Sequence, residues 1–148
     1  RNFLFGPPGA GGLDLAAINI QRGRERGLPD FNTVRENFRL PAYGFFIQLN
    51  SNPEIFTEIQ RLYRQMNQID PWVGMLSEAR MPGALFGQTI MTIMKHQFLV
   101  LRDGDRFYFE NDDAIPEEWK QYIQATRMVN VIKNNTNISL MQENVFKA

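Results

Sequence analysis

The chain has 148 residues, 43% hydrophobic and 22% charged, with 16 basic and 16 acidic side chains. That suffices for one domain with one modest core, and the zero net charge gives no electrostatic footprint for nucleic acid or an anionic membrane. Cysteine is absent and His96 is the lone histidine, so disulfides, thiolate chemistry and any multi-histidine metal site within this chain are excluded.

No run approaches the roughly 18 apolar residues of a membrane span, and the first residues lack the pattern of a signal peptide. The chain opens on Arg1 and not on Met, so it is expected to begin after processing or inside a longer sequence. Residues 1–12, "RNFLFGPPGAGG", read as a lead-in segment and a flexible Gly/Pro-rich loop. Asp14 is placed to cap a helix that runs to about Arg26 and stops at Gly27, with Pro29 just beyond. A short helix is expected after Asp30 or Asn32, over "TVRENF", ending before Pro41.

The stretch 51–67, "SNPEIFTEIQRLYRQMN", has Asn52 as cap and Pro53 at the first helical position. Its Ile55, Ile59, Leu62 and Met66 are expected on one apolar face. "DPWVGMLSE" repeats the cap-plus-proline start at Asp70 and Pro71. After Gly83, "ALFGQTIMTIMKHQFLVL" reads as a long, largely buried helix ending near Arg102. "DGDRFYFEND" is expected to turn, with salt bridges among Arg102, Asp103, Asp105 and Arg106, and then to extend briefly. "PEEWKQYIQATRMVNVIKNN" closes with one or two helices, and the last dozen residues are irregular. The fold class is therefore all-α, with at most one short strand or hairpin.

The helix from Asp14 carries the most information. At about 100° per residue, Leu15, Ile18, Asn19, Arg22 and Arg26 share one face. Ala16, Ile20, Gly23 and Gly27 form a second face, small and apolar, suited to close packing. Arg24 points away from the first face. Two readings of the polar face stand open. Arg22 and Arg26 could pair with acidic residues while Asn19 bonds a neighbouring backbone. Alternatively, the face meets a flat apolar ligand with an anionic edge, clamped by a guanidinium.

The word "LDLAAINIQRGRERGLPDFNTVRENF" resembles the signature of the myeloperoxidase-type haem peroxidases, the peroxidase–cyclooxygenase superfamily. Asp14, Leu15, Ala17, Asn19, Gln21, Arg22, Arg24, Gly27, Leu28, Pro29, Phe31, Asn32 and Arg35 carry the match. It continues in family order through "IDPWVGMLSE", "GALFGQTI", "QFLVLRDGDRFYFEN", "VIKNNTNI" and "NVF", and so covers nearly the whole chain. The absence of cysteine fits a bacterial or invertebrate-like branch better than the disulfide-rich vertebrate enzymes.

The resemblance implies the C-terminal part of a single catalytic domain, residues 1–148, with residues 13–27 as a proximal-side haem helix. It implies haem b as cofactor, Asn19 accepting a hydrogen bond from the iron-ligating histidine, and Arg22 on a propionate. Leu15 and Ile18 would lie against the porphyrin or that histidine. Arg24 is read as structural, paired with an acidic residue, and no role is carried onto Arg26. The proximal and distal histidines, the catalytic arginine and the calcium ligands of the family fall upstream of this stretch, so it contains no metal ligand. His96 sits past the point where the family's iron ligand occurs and reads as an ordinary helix residue.

The implied activity is reduction of hydrogen peroxide with oxidation of a halide, pseudohalide or organic donor, in a secreted or extracellular setting. The implied partners are peroxide, a small electron donor and the upstream part of the same domain. Asn134-Asn135-Thr136 and Asn137-Ile138-Ser139 fit the glycosylation pattern. Two alternatives follow from the same superfamily: a haem-dependent fatty-acid dioxygenase, and a non-catalytic adhesion or matrix module.

Overall fold

The computed structural model describes residues 11–12 and 14–146. The loop expected over residues 1–12 lies outside the described residues, Gly11 and Gly12 aside. The described residues contain α1 (Leu15–Glu25), α2 (Phe31–Asn37), α3 (Phe46–Leu49), α4 (Pro53–Tyr63), a 3-10 turn (Met66–Gln68), α5 (Pro71–Ser77), α6 (Gln88–Gly104), α7 (Glu117–Ala125) and α8 (Met128–Asn135). Among them no strand forms, only an isolated bridge between Arg80 and Gly87. The all-α expectation holds. They divide into two compact units, with the boundary at Phe98/Leu99 inside α6.

Local chemistry sets the first boundaries. The Asp14 carboxylate accepts from the Ala17 amide at 3.1 Å and starts α1. Gly27, at φ 67°, ends it: the Gly27 amide donates to the Arg24 carbonyl and the Leu28 amide to the Gly23 carbonyl. That is the left-handed stop for which glycine is the unstrained residue. Asp30 caps α2 by accepting from the Asn32 and Thr33 amides, and Asn52 caps α4 through the Glu54 amide.

In the unit up to Phe98, Phe31, Leu49, Ile59, Met66 and Ile69 form the buried core. α5 crosses this core at a glycine. A Cβ on Gly74 would lie 2.3 Å from Cγ of Phe31, so only a bare backbone lets the two helices approach so closely. A second, polar centre lies beside the core. Arg35 of α2 pairs with Glu78 while both side chains are buried. Its guanidinium also donates to the Thr89 hydroxyl at 2.8 Å, the Gln88 amide oxygen at 3.0 Å and the Pro41 carbonyl at 2.9 Å. Glu78 accepts from the Tyr43 hydroxyl and the Thr89 amide in turn. Asn32, one turn before Arg35, exchanges hydrogen bonds with the Tyr43 backbone and donates to Asn67.

Three expectations are corrected. α4 ends at Tyr63 and not near Met66, because Arg64 takes a positive φ of 58° and reverses the chain. Met66 still reaches the core from the 3-10 turn, whereas Leu62 is 61% exposed. The long helix starts at Gln88, and apart from Thr89 it is not buried: Met91, Met94 and Phe98 are all exposed. In the second unit, the extension expected near residue 108 is a run of turns. There Arg102 pairs with Asp103 at 2.7 Å, but Arg106 stacks on the Phe107 ring and Asp105 accepts from the Phe107 amide. α7 places Trp119 edge-on to Tyr122, and Glu110 takes hydrogen bonds from Lys120 and Gln124.

Two glycine substitutions test this packing in the complete protein. Gly74→Ala forces Phe31 aside and is expected to cost about 1–3 kcal/mol in urea melts. Gly23→Ala meets only Leu28 at an ordinary 3.5 Å, so helix propensity dominates and stability should stay level or rise by about 0.5–1 kcal/mol.

Candidate functional site

None of the residues of α1 is buried within this chain. Its polar and charged side chains divide into two classes by partner. Gln21 donates to Glu25 at 2.7 Å, one turn along the same helix. Arg24 makes a two-pronged contact with Asp70, Nε to Oδ1 at 2.9 Å and Nη2 to Oδ2 at 2.7 Å. By contrast, among the described residues the side chains of Asn19, Arg22 and Arg26 have no hydrogen-bond or ion-pair partner. The reading in which Arg22 and Arg26 are neutralised by nearby acids is therefore not realised within the described residues.

These three free side chains share one place. Asn19, Arg22 and Arg26 line a cleft of about 360 Å³ between α1 and α5, walled opposite by Trp72 and Met75. Asn19 is half-buried and Arg22 exposed. The expected i, i+3 pairing of an amide with a guanidinium on one helix face is thus present. Leu15 and Ile18 lie nearer the start of α1 and do not line the cleft; Leu15 is 46% exposed. His96 is exposed on α6 and sits edge-on to Phe38, with ring centroids 6.0 Å apart.

Asp70 departs from its expected role. It precedes Pro71 at the start of α5 but makes no side-chain cap bond. Its carboxylate instead takes the Arg24 fork and the Tyr63 hydroxyl at 2.8 Å. The hydrogen bond and charge of Arg24 hold the Asp70 carboxyl below the usual carboxylate range. Burial, reinforced by the Asp70 hydrogen bond, pushes the Tyr63 phenol up to about 12. Tyr43 is raised likewise to about 12, by burial first and by Glu78 second.

Sequence reasoning missed the polar centre of Arg35, Glu78, Thr89 and Asn32. One signal was available: Asn32 and Arg35 are i, i+3 neighbours on a helix too short to hide a charge without a partner.

Comparison with known proteins bears on what this arrangement serves. The family described as animal haem peroxidase matches residues 1–146. The chain belongs to the animal haem peroxidase family. It is 39% identical over 148 residues to peroxinectin A of Dictyostelium discoideum, covering 99% of this chain and 28% of that protein. Among solved structures it is similar to peroxidase A from Dictyostelium discoideum, with a TM-score of 0.82 and 38% identity over 97% of this chain and 28% of that one. A fatty acid alpha-dioxygenase of Oryza sativa shares the fold alone, at TM-score 0.72 and 23% identity over 86% of this chain and 21% of that one. The chain thus spans under a third of each of these relatives.

The two raised phenols generate a pH prediction. Each keeps its proton in the fold up to about pH 12, while an unfolded tyrosine loses it near 10. Stability should hold below about pH 10 and fall as pH rises towards 12, since the unfolded chain then binds fewer protons. In denaturant melts of the complete protein across that window, Tyr63→Phe and Tyr43→Phe should each show a shallower decline than the parent.

Proposed function

We propose that this chain is the C-terminal part of a haem peroxidase catalytic domain, and that the Asn19–Arg22 face of α1 forms the proximal wall of its haem site. The observation that carries this reading is the pairing pattern on α1. Arg24 and Gln21 are partnered within the chain, while Asn19 and Arg22 are left free beside one cleft. An amide oxygen and a guanidinium at that spacing fit haem b. The amide suits an imidazole N–H and the guanidinium a propionate carboxylate. Leu15 and Ile18, which lie outside the cleft towards the start of α1, would supply apolar surface for the porphyrin or the ligating ring.

The bound haem supplies the redox chemistry by which hydrogen peroxide is reduced to water and a halide, pseudohalide or organic donor is oxidised. The residues of this chain hold and tune. Asn19, accepting from Nδ1 of the ligating histidine, fixes its tautomer and orientation without the anionic pull of a carboxylate. Arg22 pairs with a propionate through a charge-assisted hydrogen bond. In this reading the iron ligand, the distal histidine and the catalytic arginine come from the upstream part of the same domain, and His96 is not a ligand. Calcium, where bound, is also held upstream.

The dioxygenase alternative is less well supported, because the resemblance to those enzymes extends to the fold alone. It also needs a suitably placed tyrosine, and Tyr43, Tyr63, Tyr108 and Tyr122 fall in no motif that assigns one to it. A non-catalytic adhesion module would differ in the upstream histidines. An extracellular location is proposed from the family resemblance, together with two exposed Asn-x-Ser/Thr triplets at Asn134 and Asn137. No helix among the described residues is long and apolar enough to cross a membrane.

Three variants of the complete holoenzyme test the proposal. Asn19→Asp pushes the ligating ring towards imidazolate and should lower the iron reduction potential in a redox titration. Arg22→Ala removes one charge-assisted bond and should speed haem transfer to an acceptor by roughly ten-fold, with the histidine-bound spectrum kept. His96→Ala should leave the Soret band unchanged. Unaltered potential in the first and unaltered haem loss in the second would remove α1 from the haem site.

A further inference from the structure

We infer that Arg24 and Asp70 are positioning residues for Asn19: their two-pronged pair, braced by Tyr63, sets how α1 is rotated towards the haem. The inference rests on the haem-side reading of α1. Within this chain α1 buries no residue, and the Arg24–Asp70 fork ties it to the start of α5. Arg24 and Asn19 are five residues apart, which puts them roughly 140° apart around the helix at about 100° per residue. The residue that holds the helix and the residue that would contact the ligating histidine therefore lie on different faces.

The anchor at the other end is firm. The Asp70 side chain is only 11% exposed, follows core residue Ile69, and has its carboxylate shared between the Arg24 fork and the Tyr63 hydroxyl at 2.8 Å. A guanidinium–carboxylate fork constrains a plane as well as a distance. Position matters here because a side-chain atom roughly 5 Å from the helix axis swings about 1 Å when the helix turns by about 10°. A shift of that size takes a hydrogen bond out of range. Asp70 could have capped α5 and does not; its carboxylate is given to α1 instead.

The test uses the complete holoenzyme, with Asn19→Ala, Arg24→Gln, Arg24→Lys and the double variant Asn19→Ala/Arg24→Gln. Arg24 is 66% exposed, so its variants should fold. Losing the hydrogen bond at Asn19 makes the ligating ring less anionic and should raise the iron reduction potential. Arg24→Gln should raise it too, by less, with Arg24→Lys between Arg24→Gln and the parent. The double variant should match Asn19→Ala alone. The sign discriminates, since simple loss of a cation near the iron would lower the potential. Amide exchange over Leu15–Glu25 should quicken in Arg24→Gln. Quicker exchange with an unmoved or lowered potential, or full additivity in the double variant, overturns the positioning role. An unmoved potential in Asn19→Ala itself would instead count against the haem-side reading beneath it.

Discussion

The buried ion pair between Arg35 and Glu78 is the constraint on which the larger unit depends. Both side chains are shielded from water, so every donor of the guanidinium needs a built acceptor. Those acceptors come from three places in the chain: the Pro41 carbonyl, Glu78 after α5, and Gln88 and Thr89 at the start of α6. The Tyr43 ring closes the last side, with the guanidinium carbon 3.8 Å from its centroid. Such a pair adds little net stability over an apolar core, but removing one partner costs about 3–5 kcal/mol, which makes the arrangement specific. No buried side-chain nitrogen or oxygen among the described residues is left without a partner.

From that frame the candidate site follows by short steps. Phe31 and Arg35 fix α2 between the apolar core and the polar centre. The Phe31 amide bonds the Ile69 carbonyl at 2.8 Å, which sets the chain just before Asp70. Asp70 then reaches out to Arg24, and α1 presents Asn19 and Arg22 to the cleft. A helix with no buried residue is thus held by a partner that is itself well anchored. This separates support from contact: Asn19 and Arg22, the residues that would meet haem, make no side-chain hydrogen bond or ion pair among the described residues.

Local signals in the sequence located the caps and stops well. Asp14, Asp30 and Asn52 cap as their side-chain chemistry suggests, and Gly27 ends α1. Long-range competition was not legible. Asp70 has the same local context as Asn52, yet a distant guanidinium and a phenol outbid its own helix amide. Met66 continues the helical spacing of Ile55 and Ile59, but reaches the core after a chain reversal at Arg64 that no spacing rule reveals. The exposure of Met91, Met94 and Phe98 on α6 also escapes periodicity, which reports an apolar face and not what covers it. For the site, the helical wheel grouped Asn19 with Arg22 correctly but could not say whether acids neutralise the face. The partners show that Arg24 is neutralised by Asp70 while, among the described residues, Arg22 and Arg26 meet no acid.

The central claim is that α1 turns its Asn19–Arg22 face to haem while Arg24, on another face, holds it to Asp70. The most direct measurement is a crystal structure of the complete, haem-loaded protein. The account predicts the Asn19 amide oxygen at about 2.7–3.2 Å from Nδ1 of the iron-ligating histidine, with Arg22 at a similar distance from a propionate oxygen. A haem bound elsewhere, with Asn19 and Arg22 covered by protein side chains, would contradict it.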